Sequence, residues 1–137
     1  MNQHTYLRAY LAGIAVPTPL LLVAMTVYIV FRLVYHFPVP VERFIVFPMA
    51  VLPNAWGVWN ILFIAWRGRL QMSIGLHGAL LPFLLAPFGF AVAGALNIPI
   101  PHFVVQFLPV AALQALIVYY LAWKYLVGSL NRILGLA

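Results

Sequence analysis

Histidines are the residues of this chain best suited to holding a cofactor. His36 stands directly before one proline-containing break between long apolar runs, and His102 stands directly after another. Because histidine is a common axial ligand of haem iron, His36 and His102 together could hold a b-type haem. Histidines at the ends of apolar runs often bind nothing, however. A haem carrier is therefore the alternative interpretation of this pair, and His4 and His77 lie near the other ends of the runs.

Side-chain amides inside the apolar runs are the second group of polar residues. On a helix, Asn54, Gly57 and Asn60 share an arc of about 120°, and Gln114 lies near the middle of the last run. Amides in such places either bond neighbouring helices or line a polar pathway. We predict that these four residues form a polar or packing face, with helix packing favoured, and that Trp56 lies on the opposite side of its helix.

The functional groups that the chain lacks exclude many enzyme classes. Glu42 is its one acidic residue, and it contains no cysteine. A Ser-His-Asp triad, paired carboxylates and thiolate metal sites therefore cannot be built. No ionisable residue lies in the middle of an apolar run, which argues against a proton-coupled carrier. We expect no catalytic residue and no metal site.

Composition assigns the apolar runs to a membrane. Apolar residues make up 66% of the 137 residues and charged residues 6%, against roughly 45–50% and 25% in a soluble domain. The net charge of +6 comes from basic residues spread over the ends of the runs, where Lys and Arg anchor membrane spans. Nucleic-acid binding needs them clustered on one face. We therefore expect a lipid bilayer, and no nucleic acid, as the partner.

Four runs are long enough to cross a bilayer as helices. They cover residues 9–31, 44–66, 74–96 and 103–123. The last two are separated around Pro99 and Pro101, because proline lacks an N–H and disfavours helix before it. The sequence therefore predicts an all-α integral membrane protein, a single domain with four transmembrane helices.

The distribution of basic residues predicts the orientation. With four spans, the termini and the middle loop share one side, which carries five basic residues: Arg8, Arg67, Arg69, Lys124 and Arg132. The other side carries two: Arg32 and Arg43. By the positive-inside rule, we expect a multi-pass membrane protein with both termini in the cytoplasm.

Two segments, 37–52 and 98–113, align without gaps. The alignment places three prolines on three others: Pro38, Pro40 and Pro48 on Pro99, Pro101 and Pro109. Chance in an apolar, proline-rich chain is the competing explanation. Three prolines in register favour a tandem duplication of a two-helix hairpin, with repeats at residues 8–67 and 73–127. Such repeats would be related by an axis along the membrane normal.

These observations favour a non-enzymatic membrane protein that acts by assembly. Four proline-containing helices are barely enough to line a pathway alone, so we expect partners. These would be other membrane subunits, or further copies in a homo-oligomer that forms a small-molecule or lipid pathway or groove. This interpretation needs no cofactor, whereas the alternative is a redox carrier of haem b.

The haem hypothesis makes a spectroscopic prediction. If His36 and His102 are axial ligands, the protein as purified shows a Soret absorption band, and His36→Ala or His102→Ala shifts or weakens it by removing a ligand. The measurement is the visible absorption spectrum of the purified protein in detergent. A wild-type spectrum without the band contradicts the hypothesis.

Overall fold

The computed structural model describes residues 3–36, 46–69, 71–100 and 102–136. These ranges are helical apart from short connections and contain no strand, so the predicted all-α class is confirmed. Four segments are long and apolar enough to cross a membrane: His4–Tyr35, Met49–Trp66, Ile74–Ala95 and Leu108–Ile133. The tandem duplication stays a prediction. Some residues on which it rests, Pro38, Pro40 and Pro101, lie outside the described residues, as do Glu42 and Arg43.

The first segment consists of two helices, α1 (Gln3–Ile14) and α2 (Pro17–Tyr35). Pro17 separates them, because a proline cannot donate the backbone hydrogen bond that would continue α1. The Thr18 hydroxyl donates instead to the carbonyl of Ile14, at 2.6 Å. Beyond Pro17 no residue of α2 is buried.

The second segment begins with a π-helical turn, Val46–Val51, and continues as α3 (Leu52–Trp66). The third is α4 (Ile74–Ala95). Its N-terminus is capped by Ser73, whose hydroxyl accepts a hydrogen bond from the backbone N–H of Leu76 at 3.3 Å. Such a cap satisfies one of the free N–H groups of the first helical turn.

The fourth segment follows the short helix α5 (His102–Gln106). It comprises α6 (Leu108–Leu121), a second π-helical turn (Ala122–Val127) and α7 (Gly128–Ile133). The helix therefore continues past Trp123, where the last apolar run ends in the sequence. This continuation brings α7 against the rest of the bundle.

A close helix crossing joins α1 to α3. A Cβ atom on Gly13 would lie 2.5 Å from the carbonyl oxygen of Trp56 and 2.7 Å from Cα of Gly57. The two backbones therefore touch, which only glycine permits here. Gly57 in turn lies against the ring of Tyr10. Small residues that let backbones approach are typical of helix contacts inside membranes.

A second close contact joins α4 to the fourth segment. The Trp123 indole, which is fully buried, lies directly on Gly78, and the ring of Tyr120 lies on Gly75. Trp123 also contacts Trp56 of α3, with ring centroids 5.3 Å apart. One tryptophan thus fills the space between three helical segments.

Buried side chains are concentrated at one end of the bundle. This packed end is formed by α1, α3, the first half of α4, and the π-helical turn with α7. The other half differs: α2 beyond Pro17, α4 beyond Leu81 and all of α6 contain no buried residue.

Trp56, predicted on the side away from the protein, is only 5% exposed. The reason is that α3 packs on α1 with one face and on α6 and Trp123 with another.

The contact between Gly78 and Trp123 predicts a position-specific effect of alanine. Gly78→Ala should lower the free energy of unfolding by about 1–3 kcal/mol, because the added Cβ overlaps the indole and the packed end must shift. The matched control is Gly94→Ala in the same helix, where no described atom lies within 4 Å of the new Cβ. It should be neutral or stabilising by up to about 1 kcal/mol. Equal effects in a detergent unfolding titration would contradict this packing.

Candidate functional site

Two asparagines form a buried amide pair at the packed end. Nδ2 of Asn60 donates to Oδ1 of Asn131 at 2.8 Å, and Nδ2 of Asn131 donates to Oδ1 of Asn60 at 3.0 Å. The exposed fractions of the two residues are 0% and 2%. Because both residues are buried, each amide depends on a protein partner, and here the two amides bond each other.

The amide pair also bonds a third helix. The second hydrogen of Asn60 Nδ2 is donated to the carbonyl oxygen of Ala9 at 2.7 Å. Both donor hydrogens of this amide are therefore used, one toward α7 and one toward α1. Three sequence-distant segments are joined through a single side chain.

His77 and Trp59 form a second reciprocal pair, between α4 and α3. The Trp59 indole N–H donates to the carbonyl of His77 at 2.8 Å, and Nε2 of His77 lies 3.0 Å from the carbonyl oxygen of Trp59. A carbonyl oxygen can only accept, so Nε2 carries the proton. This assigns the tautomer of His77 and leaves Nδ1 as the remaining nitrogen of the ring.

Aromatic rings surround His77. Its imidazole stacks on Trp59 with centroids 4.7 Å apart, contacts Phe63 at 5.2 Å, and meets the edge of Trp123 at 5.9 Å. We call the two hydrogen-bonded pairs, Asn60–Asn131 and His77–Trp59, the polar core. Its amide and imidazole groups bond one another or the backbone, and it contains no carboxylate or nucleophilic hydroxyl. Chemically, it is suited to joining helices.

The four predicted face residues do not gather around one pathway. Asn60 belongs to the polar core, and Gly57 lies in the crossing with α1. Asn54 is exposed, accepts a hydrogen bond from the Tyr10 hydroxyl, and donates to the carbonyl of Ala50 in its own helix. Gln114 is exposed on α6 and has no side-chain hydrogen bond to the described residues. Their assignment to a functional face stays a prediction.

The histidines of the haem hypothesis lie away from the polar core. His36 ends α2 in a left-handed conformation, with φ 52°, and its side chain is exposed. His102 begins α5 and is also exposed. Within the described ranges, no three metal-ligating side chains form a cluster. Haem binding stays a prediction.

An apolar groove runs between α4 and α6 in the less packed half. Its volume is about 620 Å³, and it is lined mainly by small and proline residues with two phenylalanines. The lining includes Pro82, Ala86, Ala111 and Ala115. None of the four predicted face residues lines this groove, so it offers an apolar rather than a polar surface.

Comparisons with protein-family models, curated proteins and solved structures found no match for this chain. Three members of the polar core, Asn131, His77 and Trp59, were not singled out as packing residues by the sequence. For Asn131 a signal was present, since Trp123, Val127 and Asn131 follow one another at four-residue spacing, as residues on one buried helical face do. For His77 there was none.

The amide pair predicts strong coupling between its two members. Asn60→Leu or Asn131→Leu alone should lower the free energy of unfolding by about 1–3 kcal/mol, because each leaves a buried amide without its partner. The double substitution should cost less than the sum, with a coupling of about 0.5–2 kcal/mol. The measurement is a double-mutant cycle in lipid or detergent. Additive effects would show that the pair does not form.

Proposed function

We propose that this chain is a multi-pass membrane protein, with both termini in the cytoplasm, that acts by self-assembly through α6. Membrane insertion is supported by the four long apolar helices and by the large apolar side chains exposed along them. The bilayer would cover those side chains without any protein partner. Exposed apolar surface alone therefore does not identify an assembly surface.

The exposed side-chain amide of Gln114 is the main support for this proposal. Its amide is exposed on α6, near the middle of the last apolar run of the sequence, residues 103–123, among exposed apolar neighbours: Val110, Ile117 and Val118. A polar side chain facing hydrocarbon loses its hydrogen bonds to water and gains none from lipid. Amides in this position favour association with another helix that can supply a donor and an acceptor.

A second copy of the same chain is the partner that fits best. A primary amide both donates and accepts, so two copies of Gln114 can bond reciprocally across a two-fold axis. The described segments supply no other bonding group to this amide, whereas the Asn60 and Asn131 side chains already form such a reciprocal pair inside the monomer. The same chemistry between chains would give a symmetric dimer.

The groove between α4 and α6 supports a further part of the proposal, a surface for lipid chains. It has a volume of about 620 Å³ and an apolar lining. Two of its lining residues, Ala111 and Ala115, flank Gln114 on α6. Assembly through α6 would therefore place this groove beside the contact, where it could accept an acyl chain or an apolar small molecule.

Removing the amide should weaken self-association. Gln114→Leu should raise the dissociation constant about 5- to 30-fold, as expected from the loss of about 1–2 kcal/mol of amide pairing in a membrane. The measurement is energy transfer between labelled copies in liposomes as the protein-to-lipid ratio is varied. Leu113→Ala, a change at a neighbouring exposed position, is the control and should leave the dissociation constant within about twofold.

Two results would overturn the self-assembly proposal. One is a wild-type chain that stays monomeric at every protein-to-lipid ratio, which would leave other membrane subunits as partners. The other is self-association that Gln114→Leu and Leu113→Ala change equally. In either case flotation of the protein with vesicles would still test membrane insertion separately.

A further inference from the structure

A cavity with a basic lining opens at the packed end. It has a volume of about 350 Å³ and lies between the end of α3, the start of α4 and the fourth segment. Arg67, Lys124 and Arg132 line it together. Arg67 follows α3, whereas Lys124 and Arg132 belong to the fourth segment, so the tertiary structure brings the three cations to one cavity.

The arginine from α3 is held in position. Its Nη1 donates a hydrogen bond to the carbonyl of Leu136 at 2.7 Å, and Leu136 is itself buried. Lys124 Nζ lies 5.2 Å from the centre of the Tyr125 ring. Contacts of this kind restrict long side chains and reduce the entropy that is lost when they bind a ligand.

No protein carboxylate balances these charges in the described part of the chain. The sequence contains one acidic residue, Glu42, which precedes α3, whereas Arg67 follows that helix. Three positive charges around one small cavity repel each other, and an anion bound among them relieves this repulsion. The charge of the cavity therefore selects for an anionic ligand.

The start of α4 adds to the positive electrostatic potential of the cavity. Ser73 and Ile74, the N-cap and first residue of this 22-residue helix, also line the cavity. The free backbone N–H groups of a first helical turn carry partial positive charge and favour phosphate oxygens. Here they reinforce a site that already has three cationic side chains.

The other lining residues distinguish a phospholipid headgroup from free phosphate as the anion that fits the cavity. Phe63, Ile64, Met72 and Leu136 give the cavity an apolar wall beside the cations. Free phosphate makes no use of such a wall, whereas a phospholipid has apolar chains next to its phosphate. Basic pockets at the ends of membrane helices are suited to anionic headgroups.

We propose that this cavity binds the phosphate-containing headgroup of an anionic phospholipid, with Arg67, Lys124 and Arg132 contacting the phosphate. The proposal rests on the membrane insertion proposed above and is independent of self-assembly through Gln114. Lipid bound here would contact the last three helical segments at once. It would thereby stabilise the packed end of the bundle.

Matched pairs of substitutions test the site. Lys124→Gln with Arg132→Gln removes two cavity charges, whereas Arg8→Gln with Arg69→Gln removes two exposed charges that do not line the cavity. Arg67 is left unchanged because it also holds Leu136. The measurement is the affinity for phosphatidylglycerol, against phosphatidylcholine, by native mass spectrometry of the full-length chain in detergent.

The cavity pair should weaken phosphatidylglycerol binding about 10- to 30-fold, as expected for two lost cation–headgroup contacts. The control pair should change it less than about threefold, as expected for charges outside the site. Equal losses would overturn the site, since they would reflect net charge alone. So would wild-type affinity for phosphatidylcholine equal to that for phosphatidylglycerol, or full displacement of the lipid by inorganic phosphate at equimolar concentration.

Flotation of all variants with phosphatidylcholine vesicles separates this proposal from the one on which it rests. Loss of flotation in the wild type would contradict membrane insertion. If every variant floats but the mass spectra show no preference of the wild type for phosphatidylglycerol, membrane insertion stands and the headgroup site alone is contradicted.

Discussion

The need of buried amides for hydrogen-bond partners is the constraint on which the packed end depends. Asn60 uses both of its donor hydrogens, one toward Asn131 and one toward the carbonyl of Ala9. Because no other described residue bonds these two amides, their hydrogen bonds fix the relative rotation and depth of the three segments that carry them. That arrangement holds the fourth segment where Trp123 covers Gly78 and borders His77.

The two halves of the bundle differ in how their side chains are packed and hydrogen-bonded. At the packed end, glycines allow close approach and the two amides and His77 are hydrogen-bonded, whereas the indole N–H groups of Trp56 and Trp123 are buried without a partner among the described residues. In the other half, α2, the end of α4 and α6 bury no residue beyond the positions nearest the core. A bilayer can cover apolar side chains but cannot bond an amide. In the proposed bilayer, the exposed amide of Gln114 on α6 would therefore lack a hydrogen-bond partner.

Most of the basic residues also lack acidic partners within the chain. The chain has seven basic residues and one acidic residue, so ion pairing within the chain cannot neutralise most of them. Single cations at the ends of apolar runs are solvated, and in the proposed membrane they would serve as anchors. The three basic residues around one cavity differ from these single cations, because they repel one another and have an apolar wall beside them. The self-assembly and headgroup proposals both arise where the chain leaves a polar requirement unmet.

The sequence by itself determined the all-α class and the presence of four long apolar helices, because run length and composition suffice for both. It also singled out Asn60, which helical periodicity places beside Gly57. Only the tertiary structure decided that Asn131 is its partner, that Trp56 is buried and that His77 bonds Trp59. The physical reason is that periodicity describes one helix at a time. Which faces meet depends on the rotation and depth of each helix relative to the others, and these are set jointly by contacts such as Trp123 on Gly78.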